Sequence, residues 1–89
     1  MRFEWDRDKA ESNLKKHGVS FEEAVTVFYD PLSATFDDPD HPEDEPRLIT
    51  LGYSDQDQLL IVCHTEAGRS LPLISARQPT RRERKRHET

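Results

Sequence analysis

RLITLGYSDQDQLLIVCHTEAGRSLPLISAR, residues 47–77, is the stretch that decides the fold. Arg47 to Tyr53 carries Ile49, Leu51 and Tyr53 on one side, the period-two pattern of a half-buried strand. Ser54-Asp55-Gln56-Asp57 turns the chain into Gln58 to Thr65, whose run Leu59-Leu60-Ile61-Val62-Cys63 is apolar on both faces and predicts a central strand. Glu66-Ala67-Gly68-Arg69 turns it again into Ser70 to Ala76. Pro72 has no N–H to give to a ladder, which predicts an edge or a bulge there.

Upstream, the pattern changes to helix. Met1 to Trp5 sets Phe3 and Trp5 among polar neighbours, a short strand or an extended arm anchored to the core by its aromatics, base stacking being the other reading of the two rings. Asp6 caps a helix to about His17, with Ala10 and Leu14 as its apolar stripe, cations in the last turn and Gly18 as the left-handed stop. Ser20 and Glu23 form a capping box, and Val19 and Ala24 a staple, at the start of a second helix. Its apolar face is Phe21, Ala24, Val25 and Phe28, and Asp30-Pro31 ends it. Two short antiparallel helices are expected, then a strand over Leu32 to Phe36. The loop Asp37 to Pro46, with three prolines and six carboxylates, is too charged to pack and lacks the ligand spacing of a calcium loop. Thr80 and Glu83 form a second capping box that opens a basic C-terminal helix. The expected fold is therefore α+β, with two N-terminal helices on a small antiparallel sheet of three to four strands, in one domain over residues 1–89.

Composition bounds the function. The 89 residues are 33% hydrophobic and 35% charged, enough for one lean core. Cys63 is the single cysteine, so the chain has no disulfide framework or thiolate metal set, and it reads as a small buried hydrophobe in a cytoplasmic protein. No signal peptide or apolar run of membrane-spanning length is seen, so neither a membrane nor a cofactor is expected. Although the net charge is −5, Arg77 to Thr89 holds six Lys/Arg against two Glu. Charges farther off than about 8–10 Å are screened, so this cationic end can meet phosphate in spite of the acidic body.

Phe3-Glu4-Trp5-Asp6, Lys9, Asn13 and Lys16-His17-Gly18-Val19-Ser20-Phe21-Glu22-Glu23-Ala24 resemble the N-terminal signature of the BrnT toxin family. Ile74-Ser75-Ala76-Arg77 followed by Thr80-Arg81-Arg82-Glu83-Arg84 resembles its C-terminal signature. The resemblance implies a RelE-like fold and a toxin of a type II toxin-antitoxin system, a ribonuclease that stops translation. It also implies a BrnA-like ribbon-helix-helix antitoxin that neutralises the toxin and, with it, represses their operon, so that operator DNA is met only through the antitoxin. Two positions depart from the family pattern: Pro72 stands where a cation is usual, and His87 where tyrosine is usual.

Metal-free RNA cleavage needs a base for the 2′-hydroxyl, cations for the charge growing on phosphorus and an acid for the leaving oxygen, while the RNA supplies its own nucleophile. Arg47 and Arg77, at strand boundaries, are the candidate phosphate forks, the other reading of each being an ion pair. Histidine is the side chain suited to proton exchange near neutral pH, so His17 and His64 are candidates for proton transfer, against packing roles. Glu83 is the candidate carboxylate, against its role in the capping box. Lys16, Arg81, Arg82, Arg84 and Lys85 are candidate RNA contacts; a helical run of this kind is usually a solvated face, and its other readings are an RNA-backbone contact and a docking surface for an acidic antitoxin. The non-enzymatic alternative is a binding module, weakened at Pro72, that pairs with the antitoxin and modulates operon repression.

Overall fold

The computed structural model describes residues 2–38 and 47–88. The chain runs β1 (Arg2–Glu4), α1 (Arg7–His17), α2 (Phe21–Thr26), a 3-10 turn (Val27–Tyr29), β2 (Ala34–Asp37), β3 (Leu48–Tyr53), β4 (Leu59–His64), β5 (Ser70–Arg77) and α3 (Arg81–Glu88). The sheet order is β1-β5-β4-β3-β2, which puts the apolar β4 in the middle as its composition predicts.

Five strands replace the expected three to four, and the sheet is mixed. β2 to β5 are antiparallel neighbours, but β1 lies parallel to β5, with Phe3 opposite Leu71. Phe3 packs against the core, its ring 5.1 Å from Phe28. Trp5 is less of an anchor than its size predicts: it meets the Phe21 ring at 5.8 Å and stays 37% exposed.

Helix α1 begins and ends, and α2 begins, where the caps predict. Asp6 accepts from the Asp8 N–H, Gly18 adopts φ 70°, and Ser20 accepts from the Glu23 N–H. The first capping box is only half made, because the buried Glu23 carboxylate accepts from Ser54 Oγ at 2.7 Å and so ties α2 to the β3–β4 turn. α2 shortens into the 3-10 turn at Val27, and β2 starts two residues later than expected. Val19, Phe21, Ala24 and Val27 meet Leu60, Val62, Leu73 and Ala76 to form the core on one side of the sheet.

The α1 stripe is the clearest departure. Leu14 is 50% exposed, and the position that turns inward is Asn13. Its Nδ2 donates to the Val19 and Ala76 carbonyls at 2.9 and 2.8 Å, and its Oδ1 accepts from the Ala76 N–H at 3.0 Å. β1 ends at the Glu4–Pro72 pair, so beyond it β5 lacks a strand on that side. The Asn13 amide bonds Ala76 as a neighbouring peptide would.

Pro72 lies on an interior strand, not on an edge. It is tolerated at the last rung against β4, where its carbonyl accepts from the Thr65 N–H at 3.0 Å. The expected bulge is close by: Cys63 pairs with Ser75 and His64 with Leu73, so Ile74 is an extra residue in β5. Among the described residues, no helix is long and apolar enough to cross a membrane.

Asn13→Ala leaves one buried donor and two buried carbonyls without partners, at about 1–3 kcal/mol each. We expect unfolding free energy to fall by at least about 3 kcal/mol and Tm by at least about 12 °C, read by thermal circular dichroism. A loss under about 1 kcal/mol would show that the amide is not what holds β5.

Candidate active face

Side chains alternate across a strand, and a bulge that takes up one extra residue shifts that alternation by one position. Leu71 and Leu73 are buried with the helix layer; without the bulge, Ile74 would hold an ordinary rung and Ser75 and Arg77 would follow them inward. With it, Ala76 enters the core and Ser75 and Arg77 turn to the face opposite the helices. Register sets Ile49, Cys63 and Ser75 side by side on that face, with Leu51, Ile61 and Arg77 in the next row but one along the strands.

Arg47 precedes β3 and shares this face by the same alternation, opposite Thr65 by extension of the Leu48–His64 pair. Arg77 pairs with Ile61. Their backbones are therefore about 13 Å apart along the strands and about 10 Å across them, roughly 16 Å in all. Between them lies Cys63, whose Sγ is 3.9 Å from Asp38 Oδ2. Burial pushes the Cys63 thiol up, and Asp38 pushes the same way; Arg47 and a hydrogen bond with Ser75 oppose them. A small reactive-thiolate population is thus disfavoured.

Arg77 is engaged by Glu83. Its two terminal nitrogens donate to the two carboxylate oxygens at 2.9 and 3.0 Å, a fork on a fork. Glu83 also completes the second capping box, accepting from the Thr80 N–H at 2.8 Å while its own N–H donates to Thr80 Oγ1 at 3.2 Å. The capping-box reading of Glu83 and an ion pair at Arg77 therefore describe one arrangement, with the partner in the basic helix and not in the acidic loop or the acidic helices where the sequence reading looked for it. α3 has no apolar stripe, and Arg81, Arg82, Arg84 and Lys85 are exposed along it.

Two predicted partners are elsewhere. His64 lies on the helix side, 1% exposed, its Nε2 hydrogen-bonded to Thr50 Oγ1 at 2.7 Å and its ring against Phe28 at 5.0 Å. Burial lowers its pKa below 6.5, so it folds as the neutral ring, and its contribution to stability is full above pH 6.5 and declines as pH falls below it. It is separated from Arg77 by the sheet. His17 is half-buried in the last turn of α1, and Lys16 lies on the solvent side of α1 with Asp8, Glu11 and Lys15. The His87 side chain and residues 39–46 of the acidic loop lie outside the described residues. Among the described residues, no group of three or more His, Cys, Asp or Glu is placed to hold a metal ion.

Sequence reading missed the cleft at the β1 end of this face. It measures about 800 Å³ and is lined by residues that include Glu4, Trp5, Lys9, Arg47, Thr65 and Pro72. The exposed Trp5 was a signal for it, but the cleft exists only because β1 and β5, from opposite ends of the chain, run side by side.

This architecture is shared with a ribonuclease toxin of known structure. The crystal structure of the Brucella abortus ribonuclease toxin, BrnT, superposes with a TM-score of 0.70 over 91% of this chain and 99% of that one, at 24% identity, a likeness of fold. The family model described as "Ribonuclease toxin, BrnT, of type II toxin-antitoxin system" matches residues 5–83, and the chain belongs to that family. Membership implies an antitoxin partner. No match to a curated protein was found.

The Arg77 fork and the Thr80 N–H hold the Glu83 carboxyl down at about 2, from 4.5. A depressed carboxylate stabilises above its unfolded value, so its support for α3 is present above about pH 4.5 and is lost as pH falls toward 2. A carbon-detected NMR titration should place the Glu83 midpoint near 2 in the wild type. In Arg77→Ala the midpoint should climb toward the ordinary carboxylate range, and equal midpoints in the two proteins would contradict the pair.

Proposed function

We propose that this chain is an endoribonuclease toxin that cleaves RNA without a metal, blocks translation and is silenced by a BrnA-like ribbon-helix-helix antitoxin, through which alone it meets operator DNA. The observation that carries this reading is the turn of Arg77 onto the face opposite α1 and α2, where Arg47 also lies.

The RNA 2′-hydroxyl attacks the adjacent phosphorus, and negative charge grows on the phosphoryl oxygens. Arginines about 16 Å apart at the backbone suit separate phosphates along one strand better than a single shared one. Arg77 is the cation for the reacting phosphate, because Glu83 presents its fork in a fixed plane; RNA takes over part of that fork on binding. A carboxyl held near 2 is a weak base, so Glu83 acts on Arg77 as a positioning residue. Arg81, Arg82, Arg84 and Lys85 extend the cationic track for the backbone of the RNA or for the antitoxin. His64, buried behind the sheet, has no part in proton transfer in this scheme, and Lys16 and His17 are outside it.

One arrangement favours the binding-module alternative: Arg77 is already engaged by a carboxylate, and Pro72 occupies the cleft position where the family carries a cation. Induction in cells separates the two readings. Wild type should arrest growth and cleave RNA in the presence of EDTA, and Arg77→Ala should lower cleavage by about 100-fold or more, the usual size of losing one charge-stabilising donor. Arg77→Lys should recover little of it, because a lysine cannot reproduce the fork. Growth arrest that persists in Arg77→Ala would remove Arg77 from the mechanism; a wild type that is inert until Pro72→Arg restores toxicity would establish the binding module.

A further inference from the structure

The cleft at the β1 end of the open face has the makings of a nucleotide site. Its volume of about 800 Å³ falls within the roughly 300–1,000 Å³ of small-ligand pockets. Phe3 turns inward, so Glu4 turns to the open face, on the same rung as Pro72. Glu4 is exposed and, among the described residues, its side chain makes no ion pair or hydrogen bond. Asp6, also in the lining, is committed through Oδ1 to the first turn of α1. Glu4 is therefore the carboxylate left to meet a ligand.

Trp5 follows it in the lining, with its ring edge-on to Phe21 and more than a third of the residue exposed. Lys9 and Arg47 bring positive charge to the same lining. An aromatic ring, an uncommitted carboxylate and two cations are what an unstacked nucleotide requires for its base plane, its base edge and its phosphate.

The carboxylate selects among bases. Ionised, it only accepts, and its two oxygens match two adjacent N–H donors. Guanine offers that pair at N1 and N2. Adenine and cytosine set one amino group beside a ring acceptor, and uracil sets one N–H between two carbonyls, so each turns a lone pair toward the second oxygen. We propose that this cleft is a guanine subsite for RNA: Glu4 reads the Watson–Crick edge, Trp5 carries the base, and Lys9 and Arg47 hold the phosphate. The choice of RNA as substrate class rests on the ribonuclease reading above.

Trp5 is the only tryptophan of the chain, so its fluorescence reports on this cleft alone. The full-length protein is titrated with GMP, AMP, CMP, UMP and inorganic phosphate, with corrections for nucleotide absorption. GMP should give a saturable change and bind about tenfold more tightly than the other three nucleotides, the discrimination of one good bidentate contact. Glu4→Gln should level the four, and Lys9→Ala should weaken all four together. The proposal is overturned if GMP gives no saturable change, if phosphate alone reproduces it, or if Glu4→Gln keeps the preference. RNA cleavage by the same preparation separates the two readings: cleavage with no GMP selectivity removes the subsite and leaves the nuclease, and GMP selectivity without cleavage does the reverse.

Discussion

The Asn13 amide exchanges two hydrogen bonds with Ala76 and gives its remaining donor to Val19. The last residues of β5 depend on this, because β1 is too short to reach them. A side chain can replace a strand here because the primary amide and the peptide offer the same donor and acceptor in the same plane. One residue thus joins α1, the junction before α2 and the strand that carries Arg77. A leucine in its place would bury comparable apolar area and leave β5 with an open side.

The second constraint is the extra residue in β5. Ile74 reverses the facing of the last three residues of the strand, so Ala76 enters the core while Arg77 emerges on the other side of the sheet. The two devices reinforce each other: the bulge makes Ala76 an inward residue, and Asn13 holds it there. The helix side is left with a neutral polar chain from Thr35 through Thr50 to His64, fully hydrogen-bonded and wedged against Phe28. The open side carries Arg47 and Arg77 at the two ends of an apolar patch that holds Ile49, Leu51 and Ile61. The buried histidine and the two arginines are thus separated by a single layer of backbone.

Elements whose signals are local were legible in the sequence. Asp6, Gly18, Ser20 and Thr80 mark helix ends because a cap is made within three or four residues of itself, and β4 declares its central place by being apolar on both faces. The parallel β1–β5 pair was not legible, since nothing in Arg2–Glu4 states which strand it joins. Choosing Ala10 and Leu14 as the buried stripe put hydrophobicity ahead of hydrogen bonding; Asn13 wins because β5 has backbone groups to satisfy. His64 and Arg77 looked like partners because both titrate or bind anions near strand ends, but their facing depends on register and on a one-residue bulge. The Arg77–Glu83 pair could have been foreseen, as a capping-box glutamate has a second oxygen to offer a cation six residues back.

The central claim is that RNA meets the face opposite α1 and α2, with Arg77 on it and His64 behind it. The most direct test is a two-dimensional NMR titration of the wild-type chain with a 2′-deoxy oligonucleotide, which binds without being cleaved. The account predicts that shifts gather at Arg47, Cys63, Ser75 and the Arg77 guanidinium, while the His64 ring and the amides of α2 stay in place. Shifts centred on α2 and the His64 ring, with Arg77 still locked to Glu83, would contradict it.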